Sequence, residues 1–234
     1  MDRRKFLQIS GWSLSVGMVA CNSDGPNAAR ELLELAQDKN ETVERALFRH
    51  TSMDRVIEGA RNSGRAFPKY FISKELPVWD ESVRGVWRLE VSGAVRKPLS
   101  LTLQDLQKLP RRTQRVNHYC VEGWTAVAVW SGVRVSDIAK AAQITNDADY
   151  VDFQSFDSDY HESWDIDSAL HPQTLIAYGM DGRFLGADHG APARVHSPVK
   201  LGYKSTKYLT RVVFMPRRNG GYWSDKGYEW YAGV

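Results

Sequence analysis

A β-rich run from Arg115 to Trp130 carries Cys120, one of only two cysteines in 234 residues. Val127 and Val129 alternate against Ala126 and Ala128, the period of a strand. Polar and aromatic residues flank the thiol: Asn117, His118 and Tyr119 before it, Glu122 and Trp124 after. Three readings of Cys120 stand. It can be a small buried hydrophobe. It can be a nucleophile paired with His118, which lies two residues away on the same strand face. It can be a soft thiolate gripping a metal. A zinc site has no second cysteine to draw on and no histidine pair at ligand spacing. A disulfide to Cys21 is weakened because that residue closes a signal-like segment.

The body of the chain has material for a packed core, with 42% hydrophobic and 11% aromatic residues. The formal charge is only +3, and Arg3-Arg4-Lys5 supply three of the positive charges. That balance gives no support for a nucleic-acid partner.

Residues 1–20 read as a targeting segment. Arg3-Arg4 before Phe6-Leu7 resembles a twin-arginine export signal, which carries proteins out already folded. The apolar run Ile9 to Ala20 is short for a transmembrane helix. Met18-Val19-Ala20-Cys21 is similar to a bacterial lipoprotein cleavage site, with Cys21 as the lipid anchor. The expected location is the periplasm or cell envelope. Residues 21–66 read as a helical spacer or arm. Leu32, Leu33, Leu35 and Ala36, then Val43, Ala46 and Leu47, keep helical spacing, with Asn40 and Ser52 as N-caps and Gly64 as a stop.

One domain is expected over 67–234. Strands are expected at Phe71 to Val78, Val86 to Val91, Tyr150 to Gln154, Thr174 to Tyr178 and Tyr208 to Phe214. Helices are expected at Leu101 to Leu109 and Val135 to Ala142, with a hairpin turn at Asp181-Gly182. Short helices among many strands make the class α+β.

A second constellation is His189-Gly190-Ala191-Pro192-Ala193-Arg194, followed by Lys200, Gly202, Lys204, Ser205 and Lys207. Arginine, lysine, glycine and a hydroxyl together suit an anion. No GxxxxGK[ST] nucleotide loop occurs. A solvated basic loop is the bland alternative.

Together these pieces resemble the sulfite oxidase family of molybdopterin-dependent oxidoreductases, over residues 67–234. The pattern H-G-x-P-x-R at 189–194, P-x-K-x-G-x-K-S-x-K at 198–207 and Ala177-Tyr178-Gly179-Met180-Asp181-Gly182 carry the resemblance. Cys120-Val121-Glu122-Gly123-Trp124 looks most like the C-V-E-x-W of the periplasmic methionine sulfoxide reductase catalytic subunits, not the C-A-G-N-R of vertebrate and plant sulfite oxidases. The resemblance implies a single mixed α/β molybdopterin-binding domain with Cys120 on molybdenum. It places Ser155 where the reductases have Thr, and His189 where they have Asn. It implies that Arg194 holds the pterin phosphate, with Ser205, Thr206 and Lys207 donating to it. It puts Ser73 and Lys74 on an early strand that lines the pterin. Tyr119, Glu122 and Trp124 are candidates for the substrate face, Tyr119 and Glu122 among the catalytic residues. The implied activity is reduction of S- or N-oxides with electrons from an envelope partner, a membrane heme protein. Sulfite oxidation is the enzymatic alternative, and a lipid-anchored binding module without catalysis is the other.

Overall fold

The computed structural model describes residues 27–47, 67 and 69–234. The export signal, Cys21, Ser52 and Gly64 lie outside the described residues.

Helix α1 (Asn27–Leu47) is one uninterrupted rod of 21 residues. Asn40, expected to cap a second helix, sits inside it. Good helix formers on both sides carry the helix through, since one asparagine costs only a few tenths of a kcal/mol, up to about 0.7. Glu41 and Arg45, four apart, pair along its surface at 2.8 Å.

The chain from 69 onward alternates short strands with shorter helices. In order these are α2 (Glu81–Arg84), β1 (Arg88–Gly93), β2 (Leu99–Thr102), α3 (Leu103–Lys108), β3 (Arg111–Tyr119), β4 (Thr125–Arg134) and α4 (Val135–Ala142). Then come β5 (Tyr150–Ser155), β6 (His161–Asp165), α5 (Ile166–Ala169), β7 (Leu175–Met180), β8 (Arg183–Phe184), β9 (Arg194–His196) and β10 (Leu209–Met215). One sheet runs β2-β1-β10-β5-β6, and the other runs β3-β4-β7-β8 with β9 also on β7. All pairings are antiparallel except β1 with β10. This is the mixed α/β arrangement expected.

Local chemistry explains the elements. In β1, Leu89 and Val91 point inward while Arg88 and Glu90 stay out. The helix expected from Leu101 starts two residues later. Leu101 and Thr102 pair with β1, and Thr102 forms a reciprocal capping box with Asp105. In α4, Val135, Ile138, Ala139 and Ala142 make one buried stripe. Asp181 and Gly182, both at positive φ, close the β7–β8 hairpin.

The strand expected at Phe71 to Val78 does not form. The Ile72 and Ser73 N–H groups donate to the Asp157 carboxylate at 2.8 and 3.0 Å instead of to a neighbouring strand. Pro77 has no N–H to offer a ladder. Strand β6 was not expected: His161-Glu162-Ser163-Trp164-Asp165 lacks apolar alternation, yet its last four residues are buried.

The main core gathers Leu89, Phe153, Trp164, Ile138, Ile176 and Phe214, drawing on both sheets and α4. A smaller core of Val116, Ala128, Trp130, Leu175 and Ala177 lies on the other face of the second sheet. In β7, Ile176 and Tyr178 enter one core while Leu175 and Ala177 enter the other. Strands β4 and β7 are therefore covered on both sides and fixed in register. Ile138→Ala, at a fully buried position, should lower the unfolding free energy by about 2–5 kcal/mol, read from the urea midpoint at unchanged slope.

Candidate active site

Strand β3 ends at Tyr119 and β4 starts at Thr125, so Cys120 opens the turn between them. Its N–H donates to the Trp124 carbonyl at 2.9 Å, and Gly123 N–H donates back to the Cys120 carbonyl at 3.0 Å. The doubly tied turn holds the thiol at the wall of a cavity of about 490 Å³. Burial pushes the Cys120 thiol up; the Glu122 N–H opposes this and the Glu122 carboxylate adds to it. Glu122 Oε2 accepts the Trp124 Nε1–H at 3.0 Å and the Tyr70 hydroxyl at 3.4 Å, and lies 3.9 Å from Cys120 Sγ.

His118 shares the cavity face with Cys120, as strand geometry dictates. Its ring leans on Phe67 at 5.0 Å and on His196 at 5.5 Å between centroids. Burial first, then Arg194 and Lys207, pushes its imidazole down to about 3. His196 is fully buried on Trp130, and neither ring nitrogen has a partner among the described residues.

Arg194 lies in β9 at 2% exposure, spread over the Trp130 ring at 5.1 Å. Its three nitrogens donate only to carbonyls, of Val195, His189 and Ser205, at 3.2–3.3 Å. Among the described residues no carboxylate pairs with it. Lys207 donates to the carbonyls of Tyr70 and Asp188 at 2.7 and 2.9 Å. Among the described residues neither cation makes a salt bridge, although Asp188 and Asp157 act on Lys207 from a distance, and an ionised group left unpaired is costly. The Ser205, Thr206 and Tyr208 hydroxyls and His189 Nδ1 are buried without partners among the described residues. Charge and open donors alike fit a bound phosphate. No group of three or more His, Cys, Asp or Glu among the described residues is arranged to hold a metal. A metal on Cys120 therefore needs further ligands from a bound molecule. A molybdenum cofactor with a phosphorylated organic tail meets both demands, so the residues present fit it.

Of the residues named from sequence, Cys120, Glu122, Trp124, Ser155, Arg194, Ser205 and Lys207 line this cavity. Thr206 and His189 are not among the lining residues. Tyr119, next to His118 on β3, is not on the lining, because neighbouring strand side chains take opposite faces. Ser73 is held by Asp157 and Ser158, and Lys74 is exposed. Neither reaches the cavity wall. Lys200 and Lys204, expected in the anion cradle, turn away. Lys200 pairs with Asp165 and Lys204 with Glu162, each at 2.7 Å and buried. Sequence reasoning missed Tyr70, Tyr160, Tyr203, Tyr222, Trp223 and Tyr228, which give the cavity an aromatic rim. The density of aromatics from Tyr222 to Tyr231 was the available signal.

Comparison with known proteins agrees with this reading. A family model described as the oxidoreductase molybdopterin binding domain matches residues 75–223. A protein of Azospira oryzae, provisionally named protein-methionine-sulfoxide reductase subunit YedZ1, is 37% identical over 83% of this chain and 78% of its own length. The protein-methionine-sulfoxide reductase catalytic subunit MsrP of Xanthomonas axonopodis pv. citri is 30% identical over 96% of this chain and 73% of its own. The MsrP of Campylobacter jejuni is 30% identical over 63% of this chain, which spans 56% of that protein. The crystal structure of the sulfane dehydrogenase SoxCD from Paracoccus pantotrophus shares the fold, with a TM-score of 0.53 at 22% identity, over 56% of this chain and 38% of that one.

Lys207 gives a pH signature. Burial first, then Arg194, pushes its amine down to about 7. Between there and the ordinary lysine value of about 10.4, the unfolded chain binds the extra proton. Stability of the cofactor-free chain should therefore rise with pH through that window. Lys207→Met, or phosphate added to wild type, should flatten the rise in urea midpoints measured from pH 6 to 10.

Proposed function

This chain belongs to the oxidoreductase molybdopterin-binding family, and from that premise we propose that it reduces S- or N-oxides, methionine sulfoxide among them, in the cell envelope. It is a molybdenum-dependent oxidoreductase, and molybdopterin is its cofactor. The observation that carries the substrate reading is the pairing of Cys120 with Glu122 on one turn facing the cavity. A carboxylate 3.9 Å from the ligating sulfur repels an anion such as sulfite, whereas a neutral oxide meets no such barrier. The names of the methionine sulfoxide reductase relatives support the same choice.

The bound cofactor supplies two-electron oxygen-atom transfer. Overall, one oxide takes up two electrons and two protons and leaves as the reduced compound and water. Cys120 would be the protein's ligand to molybdenum. Arg194 and Lys207, with Ser205 and Thr206, would hold the phosphate and fix the cofactor's orientation. Glu122, whose Oε2 accepts the Trp124 Nε1–H and the Tyr70 hydroxyl, is fixed beside the reacting centre, where a carboxylate can relay protons.

Electrons come from another protein, because the sequence has no C-x-x-C-H heme motif. A membrane heme carrier of the envelope is the partner the family resemblance implies. Arg3-Arg4 and Cys21 support export by the twin-arginine route and a lipid anchor. Among the described residues no helix is long and apolar enough to cross a membrane.

The exported protein should hold about one molybdenum per chain by elemental analysis, as expected for one such cofactor. Reduced-dye oxidation should depend on methionine sulfoxide, while sulfite should fail to reduce an oxidised dye. Cys120→Ser should abolish both metal retention and turnover; a variant that still turns over overturns the assignment. Glu122→Gln should keep the metal and slow turnover by about 10²–10⁴-fold, measured as kcat with reduced dye.

A further inference from the structure

The polar edge strand β6 is buried because the C-terminal segment lies along it. Glu162 and Gly221 form an antiparallel bridge. Tyr222 N–H donates to the His161 carbonyl at 2.8 Å, and Ser163 Oγ donates to the Gly220 carbonyl at 2.6 Å. At the centre is the Glu162 carboxylate, with no solvent exposure. It accepts the Trp223 N–H at 3.0 Å, the Ser224 hydroxyl at 3.4 Å and the Lys204 ammonium at 2.7 Å. A Cβ on residue 221 would stand 2.3 Å from Glu162 Oε2, so only glycine lets the segment come this close.

Neither member of this ion pair lines the cavity, but each is tied to residues that do. Lys204 precedes Ser205 in the chain, and the segment that Glu162 holds carries Tyr222, Trp223 and Tyr228 into the rim. The rings brace one another. Tyr160 meets Tyr222 at 5.3 Å, Trp223 meets Tyr228 at 5.0 Å, and the Tyr160 hydroxyl donates to the Tyr203 carbonyl. A buried pair replaced by well-packed apolar groups is often no less stable. Its use here is therefore positional. It locks an otherwise irregular chain end to the sheet that carries Ser155 and Tyr160.

We infer that Glu162 and Lys204 are positioning residues for a C-terminal aromatic wall, and that Tyr222, Trp223 and Tyr228 select the organic substituent of the oxide, favouring flat or thioether-like groups over small ones. This rests on the oxide-reductase reading and extends it. The S–O or N–O group is common to every such substrate, so discrimination has to come from what surrounds the substituent. Aromatic faces contribute through stacking and through contact with polarizable sulfur.

The test uses the molybdenum-loaded full chain. Dimethyl sulfone and methyl phenyl sulfone serve as probes that resist oxygen transfer, with binding followed by calorimetry. Wild type should prefer the aryl sulfone. Lys204→Met should retain molybdenum and weaken aryl sulfone binding about tenfold, while dimethyl sulfone moves less than about twofold. The same variant should expose the Tyr222–Tyr228 stretch to chymotrypsin about tenfold faster, because a tethered segment is cut only when it opens. The uncharged pair Glu162→Gln with Lys204→Gln should restore slow cleavage and aryl preference. Trp223→Ala, which leaves the ion pair intact, should lose the preference; this variant decides if Lys204→Met fails to fold. Equal weakening for both sulfones, unchanged cleavage in Lys204→Met, or aryl preference kept in Trp223→Ala would each overturn the inference. A wild type that shows the preference but reduces no oxide overturns the catalytic reading and leaves the wall standing.

Discussion

A guanidinium buried with no carboxylate paired to it among the described residues sets the electrostatics of the cavity. Arg194 is held in β9 by pairing with β7, and its donors find only carbonyls. Its charge helps keep His118 and His196 neutral and pushes Lys207 down. Burial dominates each of these shifts, but the guanidinium adds to all three in one direction. The wall is therefore preorganised for a negative guest, and the Ser205 hydroxyl on it has no partner among the described residues. Because the charge is fixed by backbone pairing, it cannot relax toward solvent when the guest is absent. Cofactor binding and fold stability are then linked, because an anion removes a penalty built into the empty protein.

The second sheet makes such a placement possible. Strands β4 and β7 are buried on both faces, so a slip of one residue would exchange Leu175 and Ala177 with Ile176 and Tyr178 between the two cores. That register fixes the β3–β4 turn at one end and β9 alongside. Cys120 and Arg194 thus come from elements pinned to the same two strands. The thiol and the guanidinium are far apart in sequence but held by the same pair of strands.

How much was legible in the sequence follows from what kind of pattern each residue depends on. Periodicity marked β1, α4 and β10, because their burial follows from local alternation or a helical stripe. Cys120 and Glu122 were legible as a motif, because a short turn keeps them together. The Phe71 to Val78 segment was misread: its composition is strand-like, but Asp157, about 85 positions away, takes its N–H groups. Strand β6 was invisible for the opposite reason. Its buried polar residues make sense only once the C-terminal segment covers them. Composition placed Lys200 and Lys204 beside Lys207, but nothing local says which way a lysine in an irregular turn points. Their partners, Asp165 and Glu162, lie more than thirty residues upstream.

That division among the lysines has a chemical consequence. With Lys200 and Lys204 neutralised inside the fold, the cations on the cavity lining among the described residues are Arg194 and Lys207, set against the carboxylates of Asp157 and Glu122. Tyr70 spans the two signs: its carbonyl accepts from Lys207 and its hydroxyl donates to Glu122. The charges are thus held about one tyrosine apart instead of collapsing into an ion pair. Two more free lysines would have overwhelmed the carboxylates and turned the whole cavity into an anion trap, open to sulfite as readily as to phosphate. By diverting them to Asp165 and Glu162, the chain confines the positive charge of the cavity wall to Arg194 and Lys207. Beside the thiol stands the Glu122 carboxylate instead of a cation, so the surroundings of Cys120 do not attract anions.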